Sequence, residues 1–481
     1  MKRIKVGFCV GIVIPLVAFS WINRYGDEGS NRLYAMDLIG EGGFITAGRT
    51  TNNDDYGIAY IMKCNDEGDT LWTRTFGGPY EERIYSVRET SDTGFIMAGF
   101  TYSFTPSDGC NVYILKTDGN GDTLWTRSYG GIDRDSATCI YEVSSGGYIV
   151  SGSTRSFGAG KGDIWILRLD ASGDTIWTKT IGDSLDDEGC WITETQDNGF
   201  IVAGSKGDPQ TNNSNLYLVK IDGTGQTIWE KAYEVLLGGK ANSIIPTSDG
   251  NYIVTGYSYS HDIWGDVYLA KITQSGNLIW SNTYGGISKD RGFSVAETTE
   301  AGYVITGYTL SYGKGNADIY LVKTDANGDS LWARTYGDVE LDEAYEIYET
   351  EDGSYVFAGR TRSWGSVRCD FFIVKTDKDG NPAITEEDER RGITIKSYPN
   401  PFSVKTLITY NLPCNLNVKF SVFDNLGRKV NTLHKGFQDT GFHTLTWNGQ
   451  DYCGDPLPAG LYFVHFQAPG LSNISKVVLV R

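Results

Sequence analysis

The chain has 481 residues, room for two to four domains, and its 40% apolar content is enough to bury a large core and too much for a disordered chain. Sixty acidic residues against 42 basic ones give a formal charge of -18, which argues against binding nucleic acid or anionic lipid through net charge. Four histidines leave little material for zinc sites or histidine-based catalysis, while 60 glycines and 13% aromatics point to β structure.

Lys2, Arg3 and Lys5 open the chain, residues 6–19 form an uncharged apolar run, and Ala18-Phe19-Ser20 supplies a small-x-small site. The run is shorter than the ~20 residues a spanning helix needs. Residues 1–20 therefore read as a secretory signal peptide, and no segment of transmembrane length is expected in the mature chain. Seven cysteines follow: Cys64, Cys110, Cys139, Cys190, Cys369, Cys414 and Cys453. They include no Cys-x-x-Cys pair, which removes the commonest zinc and redox motifs. Cys139 and Cys190 hold matching positions in neighbouring repeats, which leaves a bridge between them open.

From residue 21 the sequence repeats. The motif aromatic-Ile/Val-x-small-Gly ends at Gly48, Gly99, Gly152, Gly204, Gly256, Gly307 and Gly359, with separations of 51, 53, 52, 52, 51 and 52. A tryptophan follows in six units (Trp72, Trp125, Trp177, Trp229, Trp280, Trp332), each four residues after a glycine. Every unit holds short runs of alternating β-branched and aromatic residues bounded by Gly, Asp and Ser, which read as four strands. Four strands per repeat of this length is a propeller blade. The seventh unit lacks its last strand, but Trp21-Ile22-Asn23-Arg24-Tyr25-Gly26 has the missing pattern. The N-terminus is therefore expected to pair beside the run near Phe371 and seal a seven-bladed ring, leaving no exposed edge.

These units, with turns such as TDANGDSLW, resemble propeller repeats of the quinoprotein type found in secreted bacterial proteins. The resemblance implies fold rather than activity: the vicinal cysteine pair of quinoprotein dehydrogenases does not occur here. The sialidase Asp-box places glycine three residues before tryptophan, where this chain has four.

Residues 385–392 form a charged linker, and from 393 to 481 the periodicity ends. YPNPF at 398–402, FDNLGRKV at 423–430, GFHTLTWNGQD at 441–451, LPAGLYFVHF at 457–466 and the ending KVVLVR occur in order. This succession resembles the C-terminal sorting domain of type IX secretion cargo, which is similar to the hook-cap immunoglobulin-like domain. The resemblance implies a seven-strand β-sandwich, export by the type IX machinery as partner, and a secreted or outer-surface location. The expected fold is thus all-β: a propeller over 21–384 followed by a small sandwich.

Candidate functional residues come in three sets. Asp-x-x-Gly turns (Asp118 with Asp122, Asp170 with Asp174, Asp325 with Asp329) suit either a hairpin or calcium, the one cofactor the carboxylates would admit. Glu82, Asp135, Asp187, Asp290 and Asp342, with Asn31, lead into the innermost strands and are expected to converge as an acidic ring on the channel mouth; the alternative is local strand-entry hydrogen bonding. The variable loops of the same face bring Tyr102, Phe104, Phe157, Tyr259, His261, Trp264, Tyr312 and Trp364 as candidate ligand contacts, by ring stacking or as blade-edge packing. Lysine or arginine closes the third strand of every blade (Lys63, Lys116, Arg168, Lys220, Lys271, Lys323 and Lys375) and is expected to pair within the blade, where Glu89, Glu142, Glu194, Glu297 and Glu349 end first strands; the alternative is polyanion binding.

No nucleophile elbow, His-Glu-x-x-His or P-loop occurs, and the blades look alike apart from their loops. The expectation is a non-catalytic propeller binding an extracellular glycan or protein. The alternative is a polysaccharide hydrolase or lyase, which needs only two carboxylates at a set separation. A purely structural surface module is the third reading.

Overall fold

The computed structural model describes residues 21–25, 30–51, 56–105, 109–209, 213–233, 238–259, 264–363, 369–382, 395–412, 415–425, 427–439, 441–468 and 471–480. The signal-peptide and linker readings, with His261 and Trp364, lie outside these residues. The chain divides into two units, 1–382 and 383–481. Among the described residues every regular element is a strand, and no helix is long and apolar enough to cross a membrane.

The first unit contains seven four-stranded antiparallel sheets among its described residues. The innermost strands are Arg32–Leu38, Glu82–Glu89, Asp135–Glu142, Glu188–Glu194, Gly239–Pro246, Asp290–Glu297 and Asp342–Glu349. Six sheets are built from consecutive strands; the seventh takes Trp21–Tyr25 as its outer strand, with Trp21 opposite Lys375 and Tyr25 opposite Phe371. The N-terminal closure expected from the repeat pattern is therefore what the fold adopts. Apolar clusters fill every interface between adjacent sheets, including the closing one, where Leu33, Met36 and Phe44 of the first blade meet Val356, Ala358, Phe371 and Ile373 of the last.

The repeated residues are explained by three devices. Each motif glycine faces a β-bulge in the innermost strand. A Cβ on Gly48, Gly99 or Gly256 would meet the carbonyl oxygen of Arg32, Arg83 or Lys240 at 1.8–1.9 Å, so only glycine fits. The outer-strand tryptophan of each of the first six blades lies on the turn glycine of the next blade, as Trp72 does on Gly121, whose φ is +80°. Each Glu near the end of an innermost strand reaches the turn of the preceding blade: Glu142 accepts from Ser91 N at 2.6 Å and Ser91 Oγ at 2.9 Å, and Glu297 does the same to Ser248 at 2.8 Å. These glutamates thus join blades rather than pairing with the third-strand cations. Four of the seven cations do pair within the blade, but with a turn aspartate: Lys116–Asp92 at 2.9 Å, Lys220–Asp197 at 2.6 Å, Lys271–Asp249 at 2.6 Å and Lys375–Asp352 at 3.1 Å.

The second unit packs a three-stranded sheet with a four-stranded one. Phe402, Tyr410, Phe420, Trp447, Tyr462 and Phe466 fill its centre. This is the seven-strand sandwich the alternating runs predict.

Candidate functional site

The five acids expected to ring the channel mouth do not face it. Glu82, Asp135, Asp187, Asp290 and Asp342 are all buried and take hydrogen bonds inside their own blades. Glu82 accepts from Gly78 N at 3.1 Å and Thr101 Oγ1 at 2.8 Å. Asp135 accepts from Gly131 N at 2.9 Å and Ser156 Oγ at 2.7 Å, and Asp187 from Asp183 N and Gly207 N at 2.8 and 2.9 Å. Asp290 and Asp342 bind Ser311 Oγ and Ser363 Oγ, both at 2.6 Å. The strand alternates, and the entry residue points between blades; the next residue, and the one two further on, point to the axis. The acidic ring is thus a set of loop anchors. Burial pushes the carboxyls of Asp187 and Asp342 up, against the pull of these bonds.

The turn carboxylates have the same character. Asp118 Oδ1 accepts from Asn120 N and Asp122 N at 2.9 Å, as a hairpin turn does. Among the described residues no group of three or more His, Cys, Asp or Glu side chains is placed to hold a metal ion. Cys139 and Cys190 are both free thiols, so the bridge left open by their spacing does not form.

The loop aromatics divide. Phe104, Phe157, Tyr312 and Trp264 are between 45% and 53% exposed. The first three lean on their own blades, against Tyr113 at 5.7 Å, Trp165 at 5.3 Å and Tyr320 at 5.8 Å. Tyr102 and Tyr259 turn inward, and there they join residues that the loop pattern did not single out.

Those residues sit on the bulges. The unpaired bulge residue of each innermost strand is, in blade order, Tyr34, Tyr85, Thr138, Cys190, Asn242, Phe293 and Tyr345. A bulge re-aims its side chain, which is why such irregularities cluster at functional sites. In the first, second, sixth and seventh blades the re-aimed side chain is aromatic, and the rings touch in series around the mouth. Tyr85 meets Tyr34 at 5.1 Å, Tyr34 meets Tyr345 at 5.8 Å, and Tyr345 stacks on Phe293 at 5.1 Å. Phe100 and Tyr102 extend the series at one end, and Tyr308 extends it at the other.

Arginines interleave with the rings. Arg83 lies 5.4 Å from the Phe100 centroid, Arg360 lies 6.0 Å from Tyr345, and Arg291 lies 3.8 Å from Tyr257 and 5.3 Å from Tyr259. Such cation–π contacts contribute about 0.5–2 kcal/mol each, depending on desolvation. The third, fourth and fifth blades break the belt with Thr138, Cys190 and Asn242, which carry no ring. Burial pushes the hydroxyls of Tyr85, Tyr257 and Tyr308 up, so at neutral pH they are donors rather than bases.

Below the belt, Arg88 of the second blade crosses the axis to Glu346 of the seventh at 3.2 Å. Its guanidinium also lies over Tyr141 of the third blade and Trp191 of the fourth, and Tyr348 donates to Glu346 at 2.9 Å. Burial pushes the Glu346 carboxyl up and Arg88 opposes it. Four blades therefore contribute to one buried polar knot under a half-buried aromatic mouth.

Sequence reasoning missed the bulge set because each side chain was compared with its chain neighbours. Aligned between repeats, the third residue after each strand-entry position reads Tyr, Tyr, Thr, Cys, Asn, Phe, Tyr, which shows that the blades differ in more than their loops.

Residues 404–470 match the FlgD Ig-like domain family. No curated protein matches the chain. Among solved structures the chain is similar to PorZ, an essential bacterial surface component of the type-IX secretion system of Porphyromonas gingivalis, at 12% identity and a TM-score of 0.43, covering 95% of this chain and 60% of that one. It is also similar to the polysaccharide lyase Uly1 (10%, TM-score 0.47, covering 74% and 92%) and to the Neurospora crassa Pan2 WD40 domain (8%, TM-score 0.45, covering 75% and 96%). The class defined by fold and family is thus an all-β protein of propeller-like sheets with a C-terminal Ig-like domain.

Proposed function

We propose that the protein is a secreted or outer-surface binding propeller without catalytic activity. In this reading its C-terminal domain serves as the export signal read by the type IX machinery, and an extracellular glycan or protein docks on the aromatic mouth. The observation that carries the binding role is the bulge belt. An otherwise repeated position is filled by contiguous rings over one arc and by small residues over the other. Flat apolar faces flanked by polar groups suit sugars and peptide side chains alike. The hydrogen bonds that hold the entry carboxylates inside their own blades favour binding over acid–base chemistry.

The test is a glycan array and an affinity capture with the full chain and its Tyr345→Ala and Phe293→Ala variants. Both variants are expected to stay folded with a lowered Tm, because each removes ring contacts, and to lose at least tenfold in affinity at temperatures well below it. Unchanged affinity removes the belt from the site. Release of new reducing or unsaturated ends from an incubated polysaccharide overturns the non-catalytic part and favours a hydrolase or lyase.

A further inference from the structure

The cations at the mouth are unevenly placed. Arg32 and Arg49 stand directly opposite each other on paired strands of the first blade, an arrangement that destabilises a sheet unless something compensates it. Among the described residues one carboxylate pairs with Arg49. Glu81 Oε1 accepts from Arg49 Nη1 at 2.5 Å and from Arg83 Nε at 2.6 Å. The Nε atoms of Arg32 and Arg49 are buried with no hydrogen-bond partner. On the seventh blade Arg360 pairs with Glu343 at 2.7 Å. Burial pushes the neighbouring Cys369 thiol up and Asp370 adds to it, while Arg32, Arg360 and Arg362 pull it down. Among the described residues, Arg32, Arg49, Arg83, Arg360 and Arg362 thus outnumber Glu81, Glu343 and Asp370 in this arc of a molecule whose formal charge is -18. Tyr34 and Tyr345 lie in the same arc, 5.8 Å apart.

Opposed arginines beside ring faces fit a ligand that brings its own anion and its own flat face. We infer that the mouth over the seventh, first and second blades is an anion subsite for an acidic polysaccharide. Arg32 and Arg49 would clamp a carboxylate or sulfate while the rings hold the sugar. This rests on the binding role proposed for the mouth. The guanidinium fork suits either anion, since both offer paired oxygens. A neutral glycan would leave the opposed cations uncompensated.

The test titrates the full chain with oligogalacturonate, its methyl ester, dextran sulfate, unsulfated dextran and polyglutamate at low and high salt. At least one charged glycan is expected to bind tenfold or more tightly than its neutral counterpart, with the preference shrinking as salt rises. A preference for oligogalacturonate assigns the subsite to carboxylate, and one for dextran sulfate assigns it to sulfate. Arg32→Gln is expected to lower the charged-glycan affinity at least fivefold while leaving Tm unchanged or raised, because it removes one of two opposed like charges. Arg49→Lys, which keeps the charge and loses the fork, is expected to lower it as well, and serves where Arg32→Gln folds poorly. Equal binding of charged and neutral probes, or charged binding that ignores both substitutions, overturns the inference. Tighter binding of polyglutamate overturns it in favour of an acidic protein. If neutral glycans bind and Tyr345→Ala abolishes that binding, the anion subsite falls and the binding role stands; if no probe of any class binds, both fall.

Discussion

Arg88 and Glu346 show how much rests on single side chains at the axis. Both are buried, at 5% and 3% exposure, so each neutralises a charge that water cannot reach. Arg88→Met strands the Glu346 carboxylate and is expected to cost about 3–5 kcal/mol, measured by urea unfolding. Adding Glu346→Gln should recover most of that loss, because the stranded charge is then gone. Two aspartates titrate in opposite senses. At Asp352 burial raises the carboxyl, but bonds from Thr350, Ser354 and Lys375 outweigh it and hold it at about 2. Its stabilisation is present above the ordinary aspartate range and is lost as pH falls toward 2. At Asp318 burial raises the carboxyl and the nearby Asp342 adds to it. That group stabilises below the ordinary aspartate range and loses its contribution as pH rises through the shifted value. Asp352→Asn is therefore expected to destabilise at pH 7, by roughly 2 kcal/mol, and Asp318→Asn to be neutral or stabilising there. Unfolding of both variants at pH 7 and pH 3 checks the two signs, and the two differences should shrink at the lower pH.

At the level of strands and turns, the repeats were legible because their constraints are local and steric. A glycine that must face a bulge, a glycine that must lie under a neighbour's indole and a tryptophan that must reach it recur at fixed spacing whatever the blade does. The closing strand was legible for the same reason, since Trp21–Tyr25 carries the outer-strand pattern out of sequence order. The direction in which Glu82, Asp135, Asp187, Asp290 and Asp342 point was not legible. Their position at a strand entrance is shared by residues facing the axis and residues facing the next blade, and one step of register separates the two. The bulge made this harder: it inserts a residue where strict alternation predicts none. Deleting residues 21–25 leaves the edge strand Asp370–Lys375 unpaired. The truncated chain is expected to melt at lower temperature and to form dimers or larger species through that edge, seen by size-exclusion chromatography with light scattering.

Across the whole molecule, the two units hold separate cores, one shared out among the interfaces of the ring and one inside the sandwich. Calorimetry of the full chain is expected to resolve more than one transition rather than a single two-state melt. The candidate site belongs to this scale too. No single blade carries it: Tyr85, Tyr34, Tyr345 and Phe293 come from four blades and become neighbours only when the circle is complete.

The seam formed by Trp21–Tyr25 against Asp370–Lys375 has a consequence for synthesis. Translation delivers the clasp's first half at the outset and its second half only after every intervening blade has been made. A nascent chain interrupted anywhere in between remains an open horseshoe with bare sheet edges, a form that proteases and chaperones distinguish from a closed ring. Circular fastening thereby acts as a length check on the first unit, met once the chain has been made as far as Lys375.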